Sequence, residues 1–264
     1  MIRRWLRGLA GGNSEEPREA PRTGSDALPP PRSAVMGPEW QEPHLVEPPG
    51  CRSDRCPHCG ETLSARPERS RKCPLCRAPI VVRTSPTDKA KLLMTEEQAA
   101  AYDESKESVS RFKRALKASE EVGIGRSQLV ATLREMAWDG SETPNPIEAF
   151  LALSEAAAKR AGLGQDWATY SSIRSLQRLT AYMDGRDTLH YQQEWSVAEL
   201  LQLRDSGARK VRILTSADDR TCPGCKQAAR SSMSIDDAMA TLPIPNACTS
   251  EEGCRCVWID ARYA

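Results

Sequence analysis

Ten cysteines, in two groups of five, are the residues of this sequence whose types and spacing could do chemistry. The first group contains Cys56-Pro57-His58-Cys59-Gly60 and, with thirteen residues between Cys59 and Cys73, Cys73-Pro74-Leu75-Cys76, followed by Ile80-Val81-Val82-Arg83. A Cys-x2-Cys pair presents two thiolates to one ion, and a second pair at this distance completes a tetrahedral zinc shell. Cys56, Cys59, Cys73 and Cys76 are therefore the expected ligands of a zinc ribbon. Each pair forms a tight turn that aims backbone amides at sulfur, and Gly60 can supply the positive φ such a turn needs. His58 lies inside the first turn and is read as solvent-facing, because four sulfurs already fill the shell. Cys51 comes five residues too early and is read as a bystander.

The second group is Cys222-Pro223-Gly224-Cys225, then Cys248, Cys254 and Cys256. Cys222, Cys225, Cys248 and Cys254 are the favoured ligands, with Cys256 as the alternate for Cys254; free thiols or a Cys222–Cys225 disulfide remain the competing reading. The strand-like runs on either side, Val211 to Thr215 and Cys256 to Asp260, are expected to pair as a β-hairpin with the cysteines at one end. Asp218 and Asp219 are read as turn-capping residues rather than an acid-base pair.

Two Zn2+ ions in structural, all-sulfur sites are thus the expected cofactors. A reducing compartment favours thiolate–metal bonds over disulfides. The N-terminus lacks a secretory-type apolar stretch, and no apolar run approaches the roughly 18 residues needed to cross a bilayer, so a cytoplasmic protein with no membrane span is expected. A catalytic zinc needs an open coordination position and a nearby proton shuttle. The Pro-Cys-x2-Cys deaminases, for instance, place the proline ahead of the pair. Here the proline lies inside it and no His-x-Glu precedes it. No catalytic residue and no small-molecule substrate are expected; a zinc-dependent enzyme is the most distant of the three readings kept.

The elements that position these cysteines follow from composition and period. The chain has 264 residues, a net charge of +1, 39% hydrophobic residues and two Phe. That apolar content is below the roughly 45–50% of globular chains, so part of the chain should stay unfolded. Residues 1–50 fit this: after a short basic stretch with Trp5 and Leu6, they are rich in Pro, Gly, Ser, Glu and Arg, and read as a disordered tether. The zinc ribbon follows over 51–88. Between Cys51 and Met94 ten Arg or Lys face four acids, a local excess of six positive charges. Arg66, Arg69, Arg71 and Lys72 could meet phosphates of a nucleic acid, although no aromatic between Cys56 and Cys76 offers a base-stacking surface.

Over 95–205 the apolar period is helical. Thr95-Glu96-Glu97-Gln98 is a capping box opening a helix to about Val122, with Val109, Phe112 and Leu116 on one face. Further helices are expected from Ser127 to Trp138, from Asn145-Pro146 to a stop at Gly162, from Asp166 through Met183, and from Thr188 to Asp205, making a helical bundle. His190 has no carboxylate or nucleophile at a readable spacing and is read as a hydrogen-bonding residue. Over 206–264 the Cys-rich module includes a short helix starting at Ser234, with Met239 and Leu242 packing back. The fold class is mainly α with two small zinc-stabilised β elements.

The stretch from Ile213 to Cys256, with Asp219-Arg220 before Cys-x2-Cys, Pro243-Ile244-Pro245 and the closing Cys254-Arg255-Cys256, resembles the C-terminal module of Mu F-type phage head morphogenesis proteins. Members of that family carry Pro-Pro-x-His-x-x-Cys-Arg-Cys, whereas Cys248 stands here where the His would be, ahead of a longer gap. The resemblance covers about a sixth of the chain. It implies a minor capsid component at a phage portal and hence a virion-associated protein. The function expected is a non-enzymatic zinc-binding adaptor or assembly protein of a phage or prophage head. The alternative is a nucleic-acid-binding zinc-ribbon protein of a bacterial regulatory or conflict system.

Overall fold

The computed structural model describes residues 40–138, 144–216, 221–246, 248–249 and 254–263. The described chain is mainly helical, with two small three-stranded sheets. It forms two compact units, Trp40–Lys117 and Ala118–Ala264. The tether expected over 1–50 and the turn role of Asp218 and Asp219 fall outside the described residues, except for 40–50.

In the first unit β1 (Arg71–Lys72), β2 (Pro79–Thr84) and β3 (Lys91–Met94) form an antiparallel sheet in that order. Side chains alternate across a strand, and here both faces are used. Ile80, Val82 and Leu93 pack with Cys56, Leu63 and Cys73 on the cysteine side. Val81, Leu92 and Met94 pack with Cys51, Ala99 and Tyr102 on the other. Cys51 is 4% exposed, packs in this second core and stands outside the group of four sulfurs on the other face.

Helix α1 (Glu96–Glu121) opens with the expected capping box. The Gln98 amide donates to Thr95 Oγ1 at 3.1 Å, and the Thr95 amide donates to Gln98 Oε1 at 3.0 Å. Its length as far as Lys117 belongs to the unit that holds the first cysteine group, so the division between units falls inside the helix. The physical reason is that Ala99 and Tyr102 in its first turns cover the sheet, and Trp40 stacks on Phe112 at 5.8 Å. Within residues 40–50, Trp40 is buried and Leu45 packs against the sheet core, while most of the others are exposed.

The second unit contains α2 (Arg126–Trp138), α3 (Pro146–Leu163), α4 (Trp167–Met183) and α5 (Leu189–Asp205). Asn145 caps α3 by accepting from the Ile147 amide, and Asp166 caps α4 by accepting from the Thr169 amide. Helix α3 ends two residues beyond the expected stop, at Gly164. Gly162 is instead a contact point: a Cβ there would lie 3.3 Å from the Tyr170 ring. On α4 the buried face carries Tyr170, Ile173, Arg174 and Gln177, while Leu179 and Met183 are about half exposed at 47% and 52%. Arg174, 5% exposed, joins Glu155 of α3 and Glu194 of α5, and the Gln177 amide donates to Ser154 Oγ.

Beyond α5, β4 (Lys210–Leu214) pairs antiparallel with β6 (Val257–Asp260) in the register Val211↔Asp260, Ile213↔Trp258 and Leu214↔Val257. The expected hairpin partners are thus together, but a third strand, β5 (Met233–Ser234), pairs on the other edge of β4 and makes a sheet. Between them lie α6 (Pro223–Ala228), α7 (Ile235–Thr241) and a single turn, Pro243–Asn246, whose backbone is extended at Ile244. Ser234 caps α7 by accepting from the Asp237 amide. Val211, Ile213, Trp258, Ile235, Leu242 and all five cysteines of this region share one core with Val197, Leu200 and Leu201 of α5. Among the described residues no helix is long and apolar enough to cross a membrane.

Candidate metal centres

At the N-terminal centre the two Cys-x2-Cys turns have the same backbone. The Gly60 amide donates to the Cys56 carbonyl at 2.9 Å and the Cys56 amide to the Glu61 carbonyl at 2.8 Å. The Arg77 amide donates to the Cys73 carbonyl at 3.1 Å and the Cys73 amide to the Ala78 carbonyl at 2.8 Å. The fifth residue of each turn is left-handed, Gly60 at φ 75° and Arg77 at φ 64°. A third turn, Ser85 to Ala90, repeats both hydrogen bonds and has Lys89 at φ 64°, without any cysteine. Paired residues flank all three turns: Arg55 with Thr62, Lys72 with Pro79, and Thr84 with Lys91. The turn is therefore a property of the backbone, and sulfur occupies two of its three copies.

These turns bring the sulfurs of Cys56, Cys59, Cys73 and Cys76 within 4.8 Å of one another, with Cys56 and Cys76 3.8 Å apart. Zinc–sulfur bonds of about 2.3 Å in a tetrahedron put sulfurs about 3.8 Å apart, so the set fits that ion. Cys56 and Cys73 are buried, while Cys59 and Cys76 are exposed. The Cys76 amide aimed at the Cys73 sulfur outweighs the burial that opposes ionisation and, with the Leu75 amide, brings that thiol down to about 6. Such amides hold a thiolate ready for a cation. His58 does not enter the shell; its Nε2 lies 2.7 Å from the Pro79 carbonyl, to which it can donate, tying the first turn to β2.

Of the four cations between the turns, Arg69, Arg71 and Lys72 are exposed. Arg66 is committed inward: its guanidinium donates to the carbonyls of Arg52 and Lys91 and pairs with Asp54 at 2.9 Å. It ties the first cysteine turn to β3, which its position in sequence did not reveal.

At the C-terminal centre Cys222 is the N-cap of α6, its sulfur accepting from the Cys225 amide at 3.4 Å. Cys222, Cys225 and Cys248 have sulfurs within 4.8 Å of one another, and so do Cys225, Cys254 and Cys256; the two trios share Cys225. Cys222 and Cys248 are 3.8 Å apart, and Cys225 and Cys254 are 3.5 Å apart. None of the ten cysteines is in a disulfide. Burial opposes ionisation of Cys222, but the amides of Cys225 and Thr249 prevail and bring it down to about 6. Burial pushes Cys225 and Cys254 up. Crowded thiols cannot all ionise without a counter-charge, and a divalent ion supplies one.

Helix α5 holds the cysteine loop from behind through residues that carry no sequence signature. The Gln192 amide donates to the Cys254 carbonyl at 2.8 Å. Ser196 Oγ donates to the Ile244 carbonyl at 3.0 Å and accepts from the Trp258 indole at 2.6 Å. Gln192, Ser196 and Glu199 also line a small recess beside Cys254 and Cys256. Burial pushes the Glu199 carboxyl up to about 7, against the Trp258 amide that it accepts from. His190 is exposed, with its ring 3.7 Å from that of Tyr191, and lies at neither centre's sulfurs. No protein-family model, curated protein or solved structure matches the chain.

Proposed function

We propose that this chain is a non-enzymatic zinc-binding adaptor whose two cysteine centres hold Zn2+ structurally, and that it serves in the assembly of a phage or prophage head. The observation that carries the zinc reading is the N-terminal cage: four sulfurs in one group, on two turns with the same pair of backbone hydrogen bonds, with the Cys76 and Leu75 amides directed at the Cys73 sulfur. An ion held by four sulfurs has no free position for water, which is the arrangement of an architectural rather than a catalytic zinc. When bound, the ion would supply the counter-charge and cross-link that small, core-poor elements need.

The assembly part rests on the resemblance of Ile213 to Cys256 to the Mu F-type module, whose ending Cys254-Arg255-Cys256 is kept while Cys248 replaces the family's His. The partner would be a portal or capsid protein. Metal analysis of purified chain tests the first part: Cys73→Ser should lose the N-terminal zinc and Cys225→Ser the C-terminal zinc, each without emptying the other centre. Metal-free, reduced wild type that stays folded at both centres would sink it. Co-sedimentation with portal or capsid protein encoded by neighbouring genes tests the second part, and its absence refutes it.

A second reading is favoured by the outward side chains of Arg69, Arg71 and Lys72 beside the first cage. They would meet nucleic-acid phosphates, as part of a bacterial regulatory or conflict system. Binding to duplex DNA should then weaken steeply with salt, by about one unit of log–log slope for each phosphate contact. A flat salt response removes this reading.

A further inference from the structure

We infer that the C-terminal centre is binuclear, with the Cys225 thiolate bridging one zinc ion held by Cys222 and Cys248 to a second held by Cys254 and Cys256. The inference rests on the zinc reading above and goes beyond its single C-terminal ion.

The N-terminal cage serves as the internal reference. There a single tetrahedral ion is expected, and the four sulfurs form one mutual group. The five C-terminal sulfurs do not divide into four and a spare; they form two trios with Cys225 common to both. The two short separations, Cys222 to Cys248 at 3.8 Å and Cys225 to Cys254 at 3.5 Å, fall one in each trio. The first matches the spacing of about 3.8 Å that one zinc ion imposes on its sulfur ligands, and the second is slightly shorter.

Burial and charge point the same way. Cys225, Cys254 and Cys256 are each no more than 5% exposed. A single four-coordinate ion would leave one of the five thiols outside its shell, whereas a bridged pair uses every sulfur. One divalent ion with four thiolates leaves two negative charges in the core, and two ions with five thiolates leave one. Smaller buried net charge costs less. A cation nearby is Arg178, whose guanidinium lies over the Trp195 ring at 5.5 Å, has no acceptor at Nε, and interacts electrostatically with Cys254. Each ion has three sulfurs and needs a fourth donor: for the ion at Cys254 and Cys256 the recess beside them has about 10 Å³, just sufficient for one water, and for the ion at Cys222 and Cys248 the half-buried Cys248 leaves a side open to water. Each thiol releases its proton as its sulfur binds, and zinc changes no oxidation state.

The test is native mass spectrometry of the full reduced chain loaded with zinc. One ion at the N-terminal cage and two at the C-terminal centre are expected in the wild type. Cys256→Ser should lose one of the C-terminal pair and Cys225→Ser both. A wild type with one C-terminal ion, unchanged by Cys256→Ser, overturns the bridged centre and leaves the zinc reading standing. A wild type with no C-terminal ion overturns both. Because Cys225→Ser could also unfold the module, wild-type chain loaded with cadmium-113 gives a second readout. Two C-terminal resonances with mutual cadmium–cadmium coupling through sulfur are expected, and a single uncoupled resonance overturns the bridge.

Discussion

At the scale of single residues, the repeated cysteine turn separates what metal requires from what backbone requires. Gly60 fills the left-handed position without strain, but Arg77 and Lys89 take the same φ with a Cβ. A left-handed non-glycine residue costs roughly 1–2 kcal/mol, partly offset because glycine loses more chain entropy on folding. Arg77→Gly should therefore stabilise the zinc-loaded chain by about 0.5–1 kcal/mol, seen as a higher denaturation midpoint; a lower midpoint would show that the Arg77 side chain contributes more than its strain. The Ser85 to Ala90 turn carries its own residue-scale signature in Asp88. Hydrogen bonding from Arg52, with help from the Ala90 amide, lowers its carboxyl from 3.8 to about 2. A depressed acid stabilises the fold above its unfolded pKa, and that contribution is lost as pH falls from 3.8 through about 2. An NMR titration should place the Asp88 midpoint near that lower value, and Arg52→Ala should return it toward the upper one.

At the scale of elements, caps and sutures decide how the helices meet. Thr95, Asn145, Asp166 and Ser234 cap four helices through side-chain oxygens, as their positions in the sequence foretold. The expected apolar stripe of α4 does not continue inward past Ile173, because the buried turn is given to Arg174 and Gln177. Arg174 pairs with Glu194 at 2.6 Å and with Glu155, so one guanidinium fixes three helices, and its ring contact lies 5.0 Å over Tyr170. Removing one partner of a buried pair leaves the others uncompensated and costs about 3–5 kcal/mol. Arg174→Met should lower the unfolding free energy of the second unit by roughly 3 kcal/mol, on the low side because both glutamates keep some solvent. A loss below about 1 kcal/mol would mean the network is dispensable surface charge.

At the scale of the whole molecule, the two kinds of core should respond differently to a metal chelator. The sheet of the first unit packs Ile80 and Leu93 with Cys56 and Cys73, and the C-terminal core contains four cysteines with Cys248 packed against it, so both should respond to whatever holds the sulfurs. The helices instead carry an independent cluster of Ala158, Tyr170, Ile173 and Ala198, with no cysteine in it. A strong zinc chelator under reducing conditions should expose Cys56 and Cys225 to thiol reagents while most helical circular dichroism persists. Complete loss of the helical signal on chelation would show that the bundle leans on the metal centres for its stability.

The spacing of cysteines, the capping residues and the strand runs were legible because each is a local chemical statement: two thiols three residues apart, an oxygen one turn before an amide, a side chain alternating with its neighbours. From them came the N-terminal quartet, the pairing of Val211 to Leu214 with Val257 to Asp260, and helix starts to within a residue or two. The division inside α1, the inward turn of Arg66, the packing of Cys51 and Gly162, and the support of Cys254 by Gln192 depend on residues far apart in the chain. Only the folded chain sorted the last five cysteines into trios around Cys225, because sulfur-to-sulfur distance across loops is set by packing on α5 rather than by spacing along the sequence.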